Sequence, residues 1–488
     1  MTGGLAPAGR EKLGDMGPDE FRDALGLVAD WVARYRERVR DMPVLAQVKP
    51  GEMRSALPAH VPRAGDRVEQ WLEDLDRIVM PAVTHWNHPG FMAYFGITGS
   101  APGILGELVS AALNVNGMLW KTCPALCELE EVVLRWLAGA LGLPESWFGM
   151  LTDTASTSTL VALTAAREMA GLDVREEGLA GHPPLVMYCS QEAHSSVEKA
   201  AIVLGIGRKG VRRIVVDEAY RMDPAELESA IVEDVASGRK PFAVVATVGT
   251  TSVTAVDPVG DVAQVCRKHG VWLHVDAAYA GSAAIAPEFR WALAGCELAD
   301  SLVTNPHKWL FTQIDCSALY TSRPDAFRRA LTLVPEYLKT EASGVTDLMD
   351  YSFQLGRRFR AIKLWFVLRY FGSDGIAARI REHVRLAGLF AAWVDEHPSL
   401  ERLAPVPFSV VCFRVHPPGV DGEGELDQLN ARVLDQVNRQ GRVFLSHTKL
   451  RGKFVLRLAV GNLATAKADV EAALDEVCAA AGIAGRAR

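Results

Sequence analysis

Lys308 stands in Asn305-Pro306-His307-Lys308-Trp309, directly after the apolar run Ser301-Leu302-Val303-Thr304. A lysine at the mouth of a buried strand is costly unless its amine is neutralised or bonded. Trp309, Leu310 and Phe311 would strip water from that amine, lower its pKa and free it as a nucleophile. One chemistry uses such an amine: a Schiff base to the aldehyde of pyridoxal phosphate. It also needs a carboxylate that keeps the pyridine nitrogen protonated, so that the ring accepts electrons released at the substrate Cα. Asp276 meets this need at the end of Val271-Trp272-Leu273-His274-Val275-Asp276-Ala277-Ala278-Tyr279, where small Ala278 leaves room for a flat ring. Singly, each residue has an ordinary structural reading, a surface lysine at a strand end and a helix-capping aspartate. Together they point to the cofactor.

A phosphate needs hydroxyls and backbone N–H groups at a helix start. Thr152-Asp153-Thr154-Ala155-Ser156-Thr157-Ser158-Thr159 offers them just before a helical run over residues 160–169. Such a cluster also serves as a plain cap, and Asp153 would repel a dianion unless it caps the helix or points away. His194, in Gln191-Glu192-Ala193-His194-Ser195-Ser196, follows one expected strand and precedes a helix. From there an imidazole can stack on a cofactor ring, although a lone histidine is more often structural.

The elements that must position these groups alternate. Helices are expected over residues 101–113 and 124–141, and strands over 184–189, 213–216, 242–249, 271–277, 301–304 and 317–321. Asp223-Pro224-Ala225-Glu226 is a well-formed helix start, with an acidic cap and proline in the first turn. Strands bracketing helices imply an α/β fold with a mostly parallel, doubly wound sheet. In such sheets ligands bind at the carboxyl ends of strands. Gly249-Thr250-Thr251, Asp276 and residues 305–308 all fall at expected strand exits.

Residues 355–370, with Arg357, Arg358 and Arg360, read as helix, and 377–396 continue as helix. A small α+β unit follows, with strands over 409–415 and 454–460 and a last helix over 466–480. At the other end, an amphipathic helix over 19–40 (Phe21, Leu25, Val28, Val32) and a second over 68–78 have too small a core to fold alone. The expected division is a helical arm over 1–100 with its first 16 or so residues disordered, a large cofactor-binding domain over 101–376 and a small C-terminal domain over 377–488.

The 488 residues, 49% hydrophobic and 23% charged, suffice for a large core and more than one domain. A net charge of -7 without a long basic block argues against nucleic acid or an anionic membrane as partner. No run reaches the roughly 18 apolar residues of a membrane span. The first 15 residues lack a signal-peptide core. Eight cysteines in a chain this long form neither a disulfide framework nor a zinc pattern. A reduced, cytoplasmic protein without a metal is expected.

Several segments together resemble the group II pyridoxal-phosphate-dependent amino-acid decarboxylases typified by aromatic-L-amino-acid decarboxylase. They are Thr84-His85-Trp86, Phe91-Met92-Ala93-Tyr94-Phe95, and residues 191–196, 244–252, 272–282 and 305–310, with Leu355-Gly356-Arg357-Arg358-Phe359-Arg360. The resemblance implies a fold-type I homodimer with shared active sites, a seven-stranded-type sheet flanked by helices, a dimer-swapped N-terminal arm and a small C-terminal domain. It implies decarboxylation of an L-amino acid, aromatic in the first place, to the amine and CO2. By position, Lys308 matches the Schiff-base lysine, Asp276 the ring-nitrogen partner and His194 the stacking residue, with Ala278 on the other face. Ala155, Ser156 and Asn305 match phosphate-site positions, Thr251 a residue near the ring, and His307 a residue of binding or catalysis. Trp86, Tyr94 and Phe95 match the substrate-side wall. Asn116 and Met118 fall where the partner subunit closes the pocket.

Two departures bear on substrate: Gly96 and Ile97 replace a proline and a threonine of the animal enzyme, and Asn116 and Met118 replace more apolar or aromatic residues. A third bears on product. The family's mobile loop carries a tyrosine that protonates Cα after CO2 leaves. Counting back from Leu355 without a gap puts Leu348 there, whereas a three-residue gap brings Tyr351 into register. Leucine donates no proton, and relatives lacking the tyrosine divert the intermediate to oxygen. The alternative outcome is therefore aldehyde, ammonia and CO2.

Overall fold

The computed structural model describes residues 14–333 and 344–485. Among them, β1 (Phe148–Thr152), β2 (Leu185–Ser190), β3 (Val211–Ile214), β4 (Lys240–Thr247), β5 (Trp272–Asp276), β6 (Ser301–Thr304) and β7 (Ser317–Thr321) form one sheet in the order β1-β7-β6-β5-β4-β2-β3. Neighbours from β3 through β6 pair in parallel, and β7 runs antiparallel to both β6 and β1. The strands read as continuous apolar runs because each feeds two layers. Val186, Tyr188, Val244, Ala246, Leu273 and Val275 join one apolar cluster. Leu185, Met187, Cys189, Ala243, Val245 and Trp272 join another. Alternation along a strand sends the two sets to opposite faces. The Pro124–Leu141 helix covers the first layer through Leu126, Val133 and Leu137, and the Ala155–Met169 helix covers the second through Val161, Ala162 and Ala165.

Helices over 101–113 and 124–141 and strands over 301–304 and 317–321 occur where the sequence places them. Asp223 caps its helix, its Oδ1 accepting from Ala225 N at 2.9 Å and Glu226 N at 3.3 Å. Three features differ. β1 was not anticipated, and β3 and β4 each begin two residues earlier than expected.

The third is that residues 355–359 are not helical, because the backbone of Arg357 is engaged elsewhere. Its N–H donates to Asn116 Oδ1 and its carbonyl accepts from Gly117 N, both at 2.9 Å. Its guanidinium pairs with Glu130 at 2.5 Å and donates to Leu151 O at 2.9 Å, while Glu130 accepts from Leu151 N at 2.7 Å. The helix starts only at Arg360 and runs to Glu396, interrupted at Gly372, whose φ of 63° is left-handed.

A second sheet, β8 (Leu400–Arg402), β9 (Val410–Val415), β10 (Ser446–Leu450) and β11 (Lys453–Ala459), is antiparallel throughout in the order β10-β11-β9-β8. Val411, Phe413, Leu456 and Leu458 pack under the Glu423–Gln440 and Lys467–Ala481 helices. Val410, Cys412 and Val455 instead meet Tyr220, Val253 and Ala255 of the first sheet's connections. Residues 90–93 are tied to this sheet: Met92 N donates to Phe444 O at 3.0 Å, and Ala459 N to Met92 O at 2.8 Å. At the N-terminus the Pro18–Arg38 helix buries only Ala24 and leaves Phe21 and Val28 exposed. Of the residues expected to be disordered, 1–13 lie outside those described. No helix among the described residues is long and apolar enough to cross a membrane.

Burial also fixes the charge state of the interior histidines. Trp309 Nε1 donates to His383 Nδ1 at 2.9 Å, so His383 carries its proton on Nε2, 3.0 Å from Asn462 O. A second proton would meet the indole N–H head on. Burial pushes His383, His274 and His307 down from 6.5 to about 4. Such a depressed group contributes stability above its unfolded pKa, and that contribution is lost as pH falls from 6.5 toward about 4. Urea unfolding should therefore show stability falling between about pH 7.5 and about pH 5.5, each histidine costing about 1.4 kcal/mol at the lower pH. Stability that holds or rises over that interval would contradict neutral interior histidines.

Candidate active site

Five strands of the first sheet end on one side, and the turns that leave them enclose a cavity of about 210 Å³. Thr154, Ala155 and Ser156 follow β1, and His194 follows β2. Thr247 ends β4, with Gly249 and Thr251 just beyond; Asp276 ends β5, with Ala278 and Tyr279 beyond; Asn305, His307 and Lys308 follow β6. Phe95 arrives from the segment tied to the second sheet. Gly249 has a φ of 88°, and a Cβ there would stand 2.5 Å from Ala280 Cβ, so only glycine fits this turn.

Lys308 lies in the single helical turn Pro306–Trp309, its backbone N–H donating to Asn305 O at 2.9 Å. Trp309 and Phe311, which follow it, are fully buried and anchor the chain beyond it. The Lys308 Nζ lies 5.4 Å from the centroid of the Phe95 ring. Enclosure pulls the lysine pKa down; the Asp276 carboxylate opposes this and the Arg457 charge adds to it. Asp276 is buried, and its Oδ1 accepts from Ala278 N at 3.1 Å. The β4–β5 register sets it beside Thr247.

The two histidines are held as neutral donors. His194 Nδ1 accepts from Ser196 N at 3.2 Å and lies 2.9 Å from Ser196 Oγ, which leaves the ring proton on Nε2. Partial burial lowers its pKa; Asp276 opposes this, and Lys308 reinforces it. His307 Nδ1 accepts from Cys316 N at 3.0 Å, and its pKa is pushed down to about 4, chiefly by burial.

The serine–threonine cluster divides in two. Thr154 and Ser156 line the cavity at the start of the Ala155–Met169 helix. Ser158 turns inward to Thr152 at 2.7 Å and Ser317 at 3.0 Å, and Thr159 meets His274 at 3.3 Å. Asp153 folds onto the helix start, accepting from Thr154 N at 2.6 Å, and does not line the cavity.

The site therefore has a hydroxyl-lined helix N-terminus, a carboxylate, and an amine held against an aromatic wall. Two cavity-lining atoms, Thr247 Oγ1 and Asn305 Oδ1, are buried without a hydrogen-bond partner. Native interiors rarely leave such atoms unsatisfied, so the cavity fits a polar ligand. A flat, phosphorylated, nitrogen-bearing aldehyde matches this set of groups.

The remaining expected site residues lie elsewhere. Trp86 stacks on Phe91 at 4.2 Å and on Tyr94 at 5.8 Å, adjoining Phe95 without lining the cavity. Asn116 is exposed and bonded to Arg357, and Met118 packs with Leu119 and Met349. Leu348 is 1% exposed inside the large apolar cluster. Tyr351 stacks on Phe148 at 4.3 Å. None of these four lines the Lys308 cavity of the same chain. Residues 334–343, which precede them in the expected loop, lie outside the described residues. Sequence reasoning missed Thr247, Tyr279 and Arg457; for Thr247 the signal was there, since it ends β4 as Asp276 ends β5.

A family model described as the pyridoxal-dependent decarboxylase conserved domain matches residues 50–416. The chain belongs to the pyridoxal-dependent decarboxylase family. It is 41% identical to tryptophan decarboxylase 2 of Oryza sativa subsp. japonica over 476 residues, 95% of each chain. It is also 41% identical to phenylacetaldehyde synthase of Arabidopsis thaliana, covering 92% of this chain and 93% of that one. A crystal structure of Oryza sativa TDC with PLP and tryptamine superposes with a TM-score of 0.94 at 37% identity, covering 96% of this chain and 99% of that one. The fold is that of fold-type I enzymes, the cofactor is pyridoxal phosphate and the activity is that of a carboxy-lyase. Borohydride reduction in the presence of pyridoxal phosphate should fix a pyridoxyl label on the peptide containing Lys308, and Lys308→Ala should abolish it. A label of undiminished yield on another lysine would move the site.

Proposed function

We propose that the protein decarboxylates an aromatic L-amino acid to the corresponding amine and CO2, with Lys308, Asp276 and His194 as the residues that hold and tune the cofactor. The observation that carries this reading is the single cavity joining a lysine amine, a carboxylate and a helix N-terminus beneath the stacked rings of Phe95 and Tyr279, 3.8 Å apart.

Pyridoxal phosphate, when bound, supplies a conjugated sink for the electrons of the breaking Cα–carboxylate bond. The residues do the rest. Thr154, Ala155 and Ser156 offer the start of a helix, and the dipole there favours a dianion. Asn305 brings an amide whose Oδ1 is unpartnered to the same cavity. Asp276 holds a proton at the pyridine nitrogen. His194, Ala278 and Thr251 line the cavity and would hold the ring there. Lys308, whose amine is made less basic by enclosure, would provide the covalent tether. His307, neutral, offers a hydrogen-bond donor beside it. Orienting the substrate carboxylate would be the main contribution of these residues to rate.

Phe95 and Tyr279, with Trp86 and Tyr94 extending the wall, exclude water and give an aromatic side chain a stacking surface. Lys308 and His194 are proton carriers within the cavity itself, which supports return of a proton to Cα and hence an amine. The aldehyde outcome draws its support from the Arabidopsis relative named phenylacetaldehyde synthase and from Leu348, which has no proton to give.

A homodimer completes the proposal. The exposed Phe21 and Val28 of the N-terminal helix, together with exposed Leu105, Leu108 and Leu113, support burial of an arm (residues 1–100) against a second copy. In that dimer Asn116, Met118 and the loop bearing Leu348 and Tyr351 would approach the partner's cavity. The eight buried, free cysteines support a reducing compartment, the cytoplasm.

The test is incubation of loaded protein with pooled L-amino acids while CO2, amine, aldehyde and dissolved oxygen are followed together. CO2 with an aromatic amine at constant oxygen is expected. CO2 with aldehyde and falling oxygen would transfer the assignment to the aldehyde-forming reaction, and absence of CO2 would end both.

A further inference from the structure

Arg457 lies in β11 of the second sheet and is 3% exposed. The comparably buried arginines Arg357 and Arg414 both face carboxylates, Glu130 for the first and Glu401 and Glu423 for the second. Arg457 pairs with no carboxylate among the described residues. Its Nε donates to Ser252 O at 3.1 Å, its Nη1 donates to Tyr94 O, and its Nη2 is buried without a partner. The guanidinium carbon lies 4.8 Å from the Phe95 ring centroid, and the Lys308 Nζ lies 5.4 Å from the same centroid. Tyr94, whose carbonyl it holds, has a left-handed φ of 51°. A side chain other than glycine keeps that conformation only when its surroundings enforce it. An unneutralised buried cation is more expensive still. Both costs fall where the second sheet meets the Phe95 wall of the cavity.

We propose that Arg457 is a positioning residue of the decarboxylase site: it pins the Tyr94–Phe95 turn as the cavity wall and sets an unbalanced positive charge behind Phe95, facing Lys308. The two functions separate chemically. Pinning needs the forked donors that reach Ser252 and Tyr94 together, whereas the field needs only the charge. The groups facing the Lys308 amine are Asp276 from β5, His194 after β2, His307 on its own turn and Arg457 from β11. Asp276 favours the ammonium form, and Arg457 disfavours it. Removing Arg457 leaves Asp276 unopposed by a permanent cation, so Lys308 should become more basic.

The test reads the Lys308 amine directly, by pH-dependent competitive acetylation of the cofactor-stripped full-length protein and mass spectrometry of the Lys308 peptide. Arg457→Met should raise the labelling midpoint by about one pH unit. Arg457→Lys should keep it within about 0.3 unit of the parent. In loaded protein, Arg457→Lys should raise KM several-fold more than it lowers kcat, because the wall is loosened while the charge remains. An unmoved midpoint in folded Arg457→Met overturns the proposal. If that variant does not fold, Arg457→Lys decides: a displaced midpoint, or loss of kcat without a rise in KM, overturns it equally. The KM arm rests on the reading of Lys308 and Phe95 as parts of the substrate site. The labelling arm does not, so a protein inactive on every aromatic amino acid would still report on Arg457.

Discussion

Taking a lysine amine out of water beside a carboxylate is the constraint around which the first sheet is arranged. An isolated ammonium in that place would be prohibitive, and an isolated carboxylate little better. The solution is to let many strand exits share the enclosure. β5 contributes the carboxylate, β6 the amine, β4 a hydroxyl and a glycine turn, β2 an imidazole and β1 a helix N-terminus. A parallel sheet supplies such convergence because its strands finish on one side. Antiparallel β7 serves a different end. Its approach brings Cys316 against His307, whose N–H donates to Cys316 O at 3.2 Å while Cys316 N returns a bond to the imidazole. The turn bearing Lys308 is thereby fixed at His307 through both its backbone and its ring.

A second buried pair governs how β1 reaches this assembly. Glu130 accepts from Leu151 N and Arg357 donates to Leu151 O, so the ion pair grips both polar groups of one residue of β1. Neither member can be lost alone without stranding a charge, a cost on the order of 3–5 kcal/mol. The same contacts give the Leu-Gly-Arg-Arg-Phe-Arg segment a structural part in placing β1. Arg357 binds Asn116 and Gly117 through its backbone and β1 through its side chain.

Where the sequence was legible, one local cause was enough. The strands from β4 through β7 are short apolar runs ending in polar residues, and Asp276 and Lys308 stand out because they break such runs. The cap at Asp223 depends on four consecutive residues. Elsewhere the determining contact was remote. β1 contains Gly149 and lies at the sheet edge, paired only to β7. β3 carries Arg212 and Arg213, whose charges are met by Glu233, Asp234 and Glu198, so its apolar signal is displaced toward exposed Val215. The helical reading of 355–359 failed on bonds to Asn116 and Gly117, more than two hundred positions away in sequence. Arg457 resembles any basic residue of an alternating strand until Tyr94 and Ser252 are placed against it.

These remote contacts also divide the site by origin. The cofactor end of the cavity is built wholly from exits of the first sheet. The wall over it is not: Phe95 belongs to a segment hydrogen-bonded to the second sheet, and the turn after β4 is held there through Ser252, which bonds Thr448, Cys412 and Arg457. A shift of the second sheet would therefore move the wall and the turn after β4 together while leaving Asp276 and the Lys308 turn in place. Chemistry common to the whole family belongs to the part that stays. The side chain that is admitted against Phe95 depends on the part that moves.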